Sequence, residues 1–236
     1  MTNSSQSVIW KLATVNHQHL RQVSLVLGDA FMAIETSAAT KRLLDREGPP
    51  TMLEVLDDWA EWHPLLSDLA AHLSEEVGLE LDEPVLRAPI PNPRKIFCAG
   101  ANYASHVREM GTKPPDKATT NPFFFMKPPT AVTGPNEPIV IPAFAHQVDW
   151  EVELAAVIGK RAKKVAVDRA AEYIAGYTIL NDISARDTHK REDWGQGPFY
   201  WDWLQSKGCD TFAPMGPFLV TSSRSVTRSP PSVNTT

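Results

Sequence analysis

The chain has only two cysteines, Cys98 and Cys209, among its 236 residues. So few cysteines exclude a fold that several disulfides hold together, and they favour a reducing compartment. The sequence also lacks an apolar run near the ~20 residues that a membrane-spanning helix needs. Its first residues carry no apolar stretch typical of a signal peptide. We therefore expect a cytoplasmic protein without a membrane anchor.

Positive charge is not in excess either. The sequence contains 23 Lys and Arg against 28 Asp and Glu, which gives a formal net charge of -5. Proteins that bind nucleic acid usually carry a basic stripe, and none stands out here. We therefore expect a small-molecule partner, with no nucleic acid and no membrane surface. Hydrophobic residues make up 42% of the chain, which is ordinary for a globular fold with a buried core.

Residues 1–92 predict a small N-terminal α+β unit. Residues 23–34 are typical of a hairpin with Gly28 near its turn, and a helix is expected over 37–47. The capping box Thr51-Met52-Leu53-Glu54 predicts the start of another helix. We expect His63-Pro64 to interrupt that helix and Pro64 to lie in the first turn of the next one.

A proline-spaced stretch, 84–93, predicts the connection to a second domain over residues 93–221. A short helical stretch is expected up to Met110, and a helix over 169–174 with Asp168 as its N-cap. Alternating or apolar runs predict the strands of this domain, which are 95–99, 123–126, 139–141, 148–158, 177–180 and 218–221.

The segment 148–158, VDWEVELAAVI, alternates between two kinds of side chain. On a strand, side chains two residues apart share a face, so Asp149, Glu151 and Glu153 are expected on one face. That face becomes apolar after Glu153, which indicates that the strand runs into a core. Neighbouring carboxylates resist burial unless a cation compensates them. The pattern therefore has two interpretations, a solvated strand face or a metal site.

A second buried run, 177–180, ends at Asn181-Asp182. Acidic residues at strand ends are common in turns, so Asp182 alone carries little information. Three carboxylates without clustered Cys or His favour a hard cation, and Mg²⁺, Mn²⁺ and Ca²⁺ all prefer oxygen ligands. Three protein ligands would leave positions for water and substrate.

Five sequence blocks carry a resemblance to a known family. They are 98–111 (CAGANYASHVREMG), 125–128 (FMKP), 148–159 (VDWEVELAAVIG), 181–187 (NDISARD) and 207–217 (KGCDTFAPMGP). In these blocks, and in their order, the chain resembles the fumarylacetoacetate hydrolase family. The resemblance implies an α+β fold with a mixed β-sheet roll or sandwich, preceded by the small N-terminal unit.

The resemblance also implies roles for particular residues. Glu151, Glu153 and Asp182 match the family's metal ligands, usually for Mg²⁺ or Mn²⁺. His106 and Glu109 match a catalytic pair. Their spacing of three places them on one face of a helical turn, where a carboxylate can orient the imidazole as a base. Taken without the family, such a pair is also compatible with a surface ion pair.

The resemblance implies roles for four further residues. Lys207 matches a lysine that contacts the substrate and stabilises developing negative charge. Arg108 and Lys127 lie in blocks that border the pocket, so we expect both to contact the substrate. At His189 many members of the family carry a glutamine that contacts the substrate, and histidine can also form hydrogen bonds there.

The implied reaction is metal-dependent hydrolysis of a C–C bond in a small 2,4-dioxo acid, such as an acylpyruvate or a fumarylacetoacetate-like acid. The same scaffold supports lyases, decarboxylases, isomerases and hydratases of oxo acids. A third interpretation is a catalytically inactive homologue that binds metal or ligand. Because dimers are usual in the family, we expect a homodimer.

The family continues with further strands beyond 218–221. In this chain the composition changes to SSRSVTRSPPSVNTT over 222–236, which has too little apolar surface to pack. We expect a disordered tail there and an altered or truncated C-terminus. Such an end would leave an unpaired sheet edge and exposed core.

Overall fold

The computed structural model describes residues 9–34, 49–73 and 81–221. The expected helix over 37–47 and the tail 222–236 lie outside these residues. The α-helices are α1 Met52–Asp57, α2 Trp59–Leu73, α3 Ala104–Glu109 and α4 Trp203–Lys207. Within the described residues, none of these helices combines the length and apolar character needed to span a membrane.

Thirteen strands accompany these helices in the described residues. The strands are β1 Lys11–His17, β2 Leu20–Leu27, β3 Ala30–Ala33, β4 Val85–Leu86, β5 Ile96–Gly100, β6 Phe123–Lys127, β7 Val132–Thr133, β8 Val148–Asp149, β9 Val152–Ile158, β10 Ile174–Asn181, β11 Ser184–Ala185, β12 Ala213–Pro214 and β13 Leu219–Thr221.

The described residues form two compact units. The first contains the described residues up to Ile90 together with Glu153–Leu180 and those from Met215 onward. The second contains Pro91–Val152 and Asn181–Pro214. The chain passes from the first unit into the second inside the proline-spaced stretch.

A seven-stranded sheet organises the first unit. Its strand order is β3-β2-β1-β13-β10-β9, and β4 pairs with β1 beside this path. β2 and β3 form the predicted hairpin, with Leu27 opposite Ala30. Gly28 in the turn has a φ of 60°, which glycine adopts without steric cost. The prediction for this hairpin is confirmed.

The helix after residue 51 begins as predicted. The Thr51 side chain accepts from the Glu54 backbone N–H, and the Glu54 side chain accepts from the Thr51 N–H. The expected interruption at His63-Pro64 is wrong, because α2 runs through Pro64 without a break. The break lies earlier, at Asp58, whose carbonyl accepts from the N–H groups of Glu61 and Trp62 and so starts α2.

Two other local predictions are corrected. Residues 139–141 are not a strand: Pro138 and Pro142 flank them, and the Val140 N–H donates to the Thr211 hydroxyl instead of to a neighbouring strand. The helix expected from residue 169 is a 3₁₀ helix over Val167–Tyr173. Its N-cap is Ala166 rather than Asp168, and no side chain caps it.

β9 leaves one apolar face uncovered. Leu154 and Ile158 are 60% and 55% exposed, whereas the alternate residues Glu153, Ala155 and Val157 are partly buried. Within the described residues, β9 is the outermost strand on its side of the sheet. The alternation predicted from the sequence therefore holds along β9, with the acidic side turned toward the protein.

Three two-stranded sheets form the framework of the second unit. β5 pairs with β6 and β8 with β11, both antiparallel, and β7 pairs with β12 in parallel. A small core consists of Ala145, Ile183, Ala185 and Phe212, and Val148 and Cys209 pack against it. Because Ile183 and Ala185 belong to the segment 181–186, this core fixes the backbone that carries the polar residues described below.

An aromatic cluster holds His63 of α2 in the first unit. The His63 ring lies 5.6 Å from the Trp10 ring and 5.2 Å from the Trp59 ring, centroid to centroid. Both tryptophans are buried. Burial lowers the pKa of His63 below its ordinary value of 6.5. In the unfolded chain, His63 therefore takes up a proton at a pH where His63 of the folded protein does not.

We predict that stability falls as the pH drops from about 7.5 through the ordinary pKa of His63 to about 5.5, because only unfolding then binds this proton. His63→Phe keeps a ring in the cluster and removes the titration. Its melting temperature should fall less over this pH range, by on the order of a few degrees. His72→Gln, at the exposed end of the same helix, serves as the control. Equal losses in wild type and His63→Phe would contradict the prediction.

Candidate active site

Two distant segments of the second unit are joined through their backbones. The Asp182 N–H donates to the Glu151 carbonyl at 2.8 Å, and the Glu151 N–H donates to the Asn181 side-chain oxygen at 3.0 Å. These bonds use both backbone groups of Glu151, so the strand expected over 148–158 is broken at residues 150–151. The expected continuous acidic face is therefore wrong at this point, and Glu151 faces Asp182 instead.

Asp182 lies between two lysines. Its Oδ1 accepts from Lys127 Nζ at 2.5 Å and its Oδ2 accepts from Lys207 Nζ at 2.7 Å. Asp182 and both lysines are buried, and Lys127 is completely so. Lys127 also donates to the Ile183 carbonyl at 3.1 Å. Burial lowers the pKa of Lys127, and the Asp182 carboxylate opposes that effect.

Lys207 brings the two segments together through its side chain. Its ammonium donates to Glu151 Oε2 at 2.9 Å, Asp182 Oδ2 at 2.7 Å and Ser184 Oγ at 2.7 Å. An ammonium has three donors, so all three are used. Lys207 lies in the last turn of α4, which Asp202 caps by accepting from the Gln205 N–H.

Arg186 was missed by the sequence analysis. Its guanidinium donates to Asp149 Oδ2 at 3.0 and 3.1 Å and also to Glu151 Oε1. Burial opposes the charge of Arg186, but the Glu151 and Asp149 carboxylates outweigh burial and raise its pKa. A signal was present, because in the extended stretch after residue 181 the polar residues Asp182, Ser184 and Arg186 alternate.

His106 lies beside this cluster at the exposed end of the site. Its Nε2 is 3.7 Å from Glu151 Oε1, and its Nδ1 is 3.8 Å from Glu109 Oε2. Both distances allow an ionic contact and exceed that of a hydrogen bond. The His106 side chain is 37% exposed and Glu109 is 78% exposed. The structure thus brings the predicted pair together on α3 and directs its histidine toward Glu151.

His189 lies among aromatic rings. Its ring centroid is 4.1 Å from that of Trp203, edge to face. Burial, followed by the positive charges of Lys207 and Arg186, lowers the pKa of His189, so its ring is neutral near pH 7. Its Nε2 is buried and forms no hydrogen bond with any residue that the structure describes.

The two remaining predicted site residues lie on α3 and β9. Arg108 is exposed on α3. Glu153 lies in β9 and belongs to the first unit. Their assignments as a substrate contact and as a metal ligand stay predictions.

The carboxylates of Glu151 and Asp182 suit a hard divalent ion in their chemistry. Each places one oxygen on the same ammonium nitrogen, so the two oxygens are close enough to share one cation. Carboxylate oxygens are the ligands that Mg²⁺ and Mn²⁺ prefer. Among residues 9–34, 49–73 and 81–221, no three His, Cys, Asp or Glu side chains form a complete group for a metal ion. The two-carboxylate part of the predicted site fits such an ion, and the third ligand stays a prediction.

Comparison with known proteins places the sequence blocks in a family. The family model described as fumarylacetoacetate (FAA) hydrolase C-terminal matches residues 95–232. A protein of Pyrococcus abyssi is 52% identical over 128 residues, which cover 54% of this chain and 53% of that protein. A mitochondrial oxaloacetate tautomerase of Bos taurus is 39% identical over 174 residues, 73% of this chain and 51% of that protein. The chain thus spans about half the length of these curated relatives.

Solved structures share the fold. A maleylpyruvate hydrolase from Sphingobium, in complex with manganese(II) ion and pyruvate, has a TM-score of 0.63 at 27% identity and covers 90% of this chain and 67% of its own. A 2-hydroxyhepta-2,4-diene-1,7-dioate isomerase from Mycobacterium marinum has a TM-score of 0.59 at 29% identity and covers 91% and 67%. The predicted α+β fold is thereby confirmed. The match to the family model over more than half of the chain, together with this shared fold, means that the chain belongs to the fumarylacetoacetate hydrolase family.

Proposed function

We propose that this chain carries the metal-dependent active site of a hydrolase that cleaves a C–C bond in a small 2,4-dioxo acid. The observation that carries the proposal is the convergence of Glu151 and Asp182 on the buried ammonium of Lys207. Two carboxylates and a lysine at one point provide a place for a cation and, beside it, a donor for a substrate oxyanion.

Mg²⁺ or Mn²⁺ is the proposed cofactor. Glu151 and Asp182 would hold it, with Glu153 as the third predicted ligand. When bound, the ion would supply Lewis-acid chemistry to the oxygens of the substrate. It would compete with Lys207 for the same carboxylate oxygens, and that competition would leave Lys207 donors for the substrate.

The balance of charges in the cluster supports an acidic substrate. In the described cluster, three cationic side chains, Lys127, Lys207 and Arg186, face three carboxylates, Asp149, Glu151 and Asp182. The formal charges of these six groups cancel. A divalent ion added to a balanced cluster is best accommodated together with an anion, since excess buried charge is costly. A dioxo acid provides that anion.

The proposed proton transfers use His106, Glu109 and Lys207. His106, oriented by Glu109, takes a proton from water, and the resulting hydroxide attacks the carbonyl distal to the acid group. The C–C bond then breaks, and its electron pair goes to the leaving enolate. Lys207 stabilises the enolate oxygen, and the proton that His106 took from water passes to the enolate carbon, which completes the second acid. We expect Arg108, Lys127 and His189 to border the substrate.

Tautomerisation of an oxo acid is the second candidate. The observation that favours it is the oxaloacetate tautomerase of Bos taurus, which is 39% identical over 73% of this chain. Moving a proton between carbon and oxygen needs the same base and the same stabilised enolate, but no water attack and no C–C cleavage. Product analysis separates the two, because hydrolysis gives two acids and tautomerisation gives one isomer.

The homodimer also stays a prediction. One face of the β5–β6 strand pair supports it, because Phe97, Phe124 and Met126 are exposed side by side there. A contiguous exposed apolar surface of this kind is typical of a protein contact.

We predict that the full chain binds one Mn²⁺, measured by calorimetry and by loss of the free Mn²⁺ electron paramagnetic resonance signal. Glu151→Gln and Asp182→Asn should each weaken binding about 100-fold or more, because hard-cation affinity depends on the charge of the ligands. Glu192→Gln changes an exposed carboxylate outside the cluster and should bind normally. Unchanged binding by both cluster variants would refute the ligand assignment.

The competition between Lys207 and the metal gives a second prediction. Lys207→Met should bind Mn²⁺ at least as tightly as wild type, because the ammonium no longer occupies Glu151 and Asp182. Turnover should nevertheless fall about 100-fold or more, because the donor to the enolate is lost. Lys113→Met, at an exposed position, is the control. Weaker Mn²⁺ binding by Lys207→Met, with normal folding by circular dichroism, would contradict the competition.

A third prediction concerns the reaction itself. With Mn²⁺, the chain should convert acetylpyruvate to two acids detected by NMR, and a chelator should stop the conversion. His106→Gln should lower kcat about 100- to 10,000-fold, the range expected for loss of a general base. His17→Gln, a histidine of the first unit, should not change kcat. Isomer formation from oxaloacetate without acetylpyruvate cleavage would instead establish the tautomerase, and Mn²⁺ binding without either product would establish a binding protein.

A further inference from the structure

Five rings lie side by side next to the charge cluster. We call them the aromatic wall, which consists of Phe123, Phe125, His189, Trp201 and Trp203. Trp203 is at its centre, with ring centroids 5.0 Å from Phe125, 5.2 Å from Phe123 and 4.1 Å from His189. Trp201 lies 5.2 Å from His189. Offset-stacked and edge-to-face contacts of this kind leave ring faces and edges available for another ring.

The wall is continuous with the site because the same two elements carry both. α4 presents Trp203 and Lys207, four residues apart and so on one helical face. β6 presents Phe125 and Lys127, two residues apart and so on one strand face. The two lysines meet on Asp182, and the two rings stack on each other.

The spacing along the two elements matches. Four residues of helix rise about 6 Å, and two residues of antiparallel strand rise about 6.8 Å. The lysine pair and the ring pair can therefore both be in register. Lys207 Nζ also lies 5.1 Å from the Phe125 ring centroid, so the ammonium is directly at the edge of the wall.

The wall is only partly covered by protein. Phe123 and Trp201 are 51% and 50% exposed, although both contact buried or half-buried partners. The exposure of aromatic surface to water is unfavourable, so a ligand that covers this surface binds more tightly. The buried Nε2 of His189 adds a polar group without a protein partner within the described residues, which can bond to an oxygen or N–H of that ligand.

We propose that the aromatic wall binds an aromatic ring, such as a phenyl group, on the distal carbonyl of the dioxo acid. The inference rests on the proposed function and names its substrate class. The acid end would face Lys207 and Arg186, and the substituent would lie along Phe125 and Trp203. A methyl group at the same place covers little of the wall, so substrates with a ring are preferred.

The test compares two probes that share the dioxo-acid head, benzoylpyruvate and acetylpyruvate. Binding to the Mn²⁺-loaded full chain is measured by calorimetry, and turnover by NMR. We expect benzoylpyruvate to bind at least about 10-fold more tightly than acetylpyruvate, since burial of a phenyl group greatly exceeds that of a methyl group. Trp203→Leu, and independently Trp201→Leu, should reduce this affinity ratio toward one.

Trp194→Leu is the matched control. Trp194 is an exposed tryptophan paired with Phe199 outside the wall, and its loss should leave the affinity ratio unchanged. Circular dichroism checks that each variant folds, and Trp201→Leu provides a second reading should Trp203→Leu misfold. Equal affinities in wild type, or a ratio preserved in the folded wall variants, would overturn the proposal.

The outcomes also separate this proposal from the function on which it rests. Acetylpyruvate turnover without a preference for the ring leaves the hydrolase standing and rejects the wall. A clear preference in binding without turnover supports the wall and rejects the hydrolase. Binding of neither probe rejects both.

Discussion

The arrangement of the second unit depends on one buried carboxylate, Asp182, held between the ammonium groups of Lys127 and Lys207. Taking such charges out of water is costly, and replacing a buried ionic group with apolar residues is often neutral or stabilising. Loss of one partner, however, costs about 3–5 kcal/mol, because it leaves a buried charge without compensation. The total stability of a protein is typically only about 5–15 kcal/mol, so the loss of one partner removes a large fraction of it. A cluster of this kind is therefore a poor means of stabilising a fold. Its value lies in fixing charge at one place before any ligand arrives.

Fixed charge of this kind requires rigid support, and the surrounding elements supply it. The Glu151 backbone is bonded on both sides to residues 181 and 182, so the two acidic residues cannot drift apart independently. Asp187 accepts from the N–H groups of His146 and Gln147, which ties the end of the same segment to the chain before β8. Donors that are already oriented reorganise little during a reaction, which is the main source of electrostatic stabilisation in enzymes.

The sequence predicted those features that depend on local chemistry. The capping box at Thr51 and the hairpin at Gly28 need only neighbouring residues, and both are present. The broken strand at Glu151 could not be predicted in this way, because the bond that ends it comes from the Asn181 side chain, thirty residues away in sequence. The continuity of α2 through Pro64 was not predicted either, because the helix begins before Pro64, at the carbonyl of Asp58. Similarly, family blocks pointed to Lys207 and Asp182, whereas the ion pairs of Arg186 depend on a fold that brings Asp149 next to it.

The position of β13 has a consequence for how the protein forms during translation. β13 inserts between β1 and β10, and the Thr221 hydroxyl donates to the Trp10 carbonyl across more than two hundred residues. The amino-terminal strands therefore leave the ribosome long before the strand that completes their sheet has been made. Contacts of such long range slow folding, and the intermediate keeps an open strand edge in the meantime. The residues of β1 that pair with β13 therefore stay without that partner until synthesis has passed residue 221.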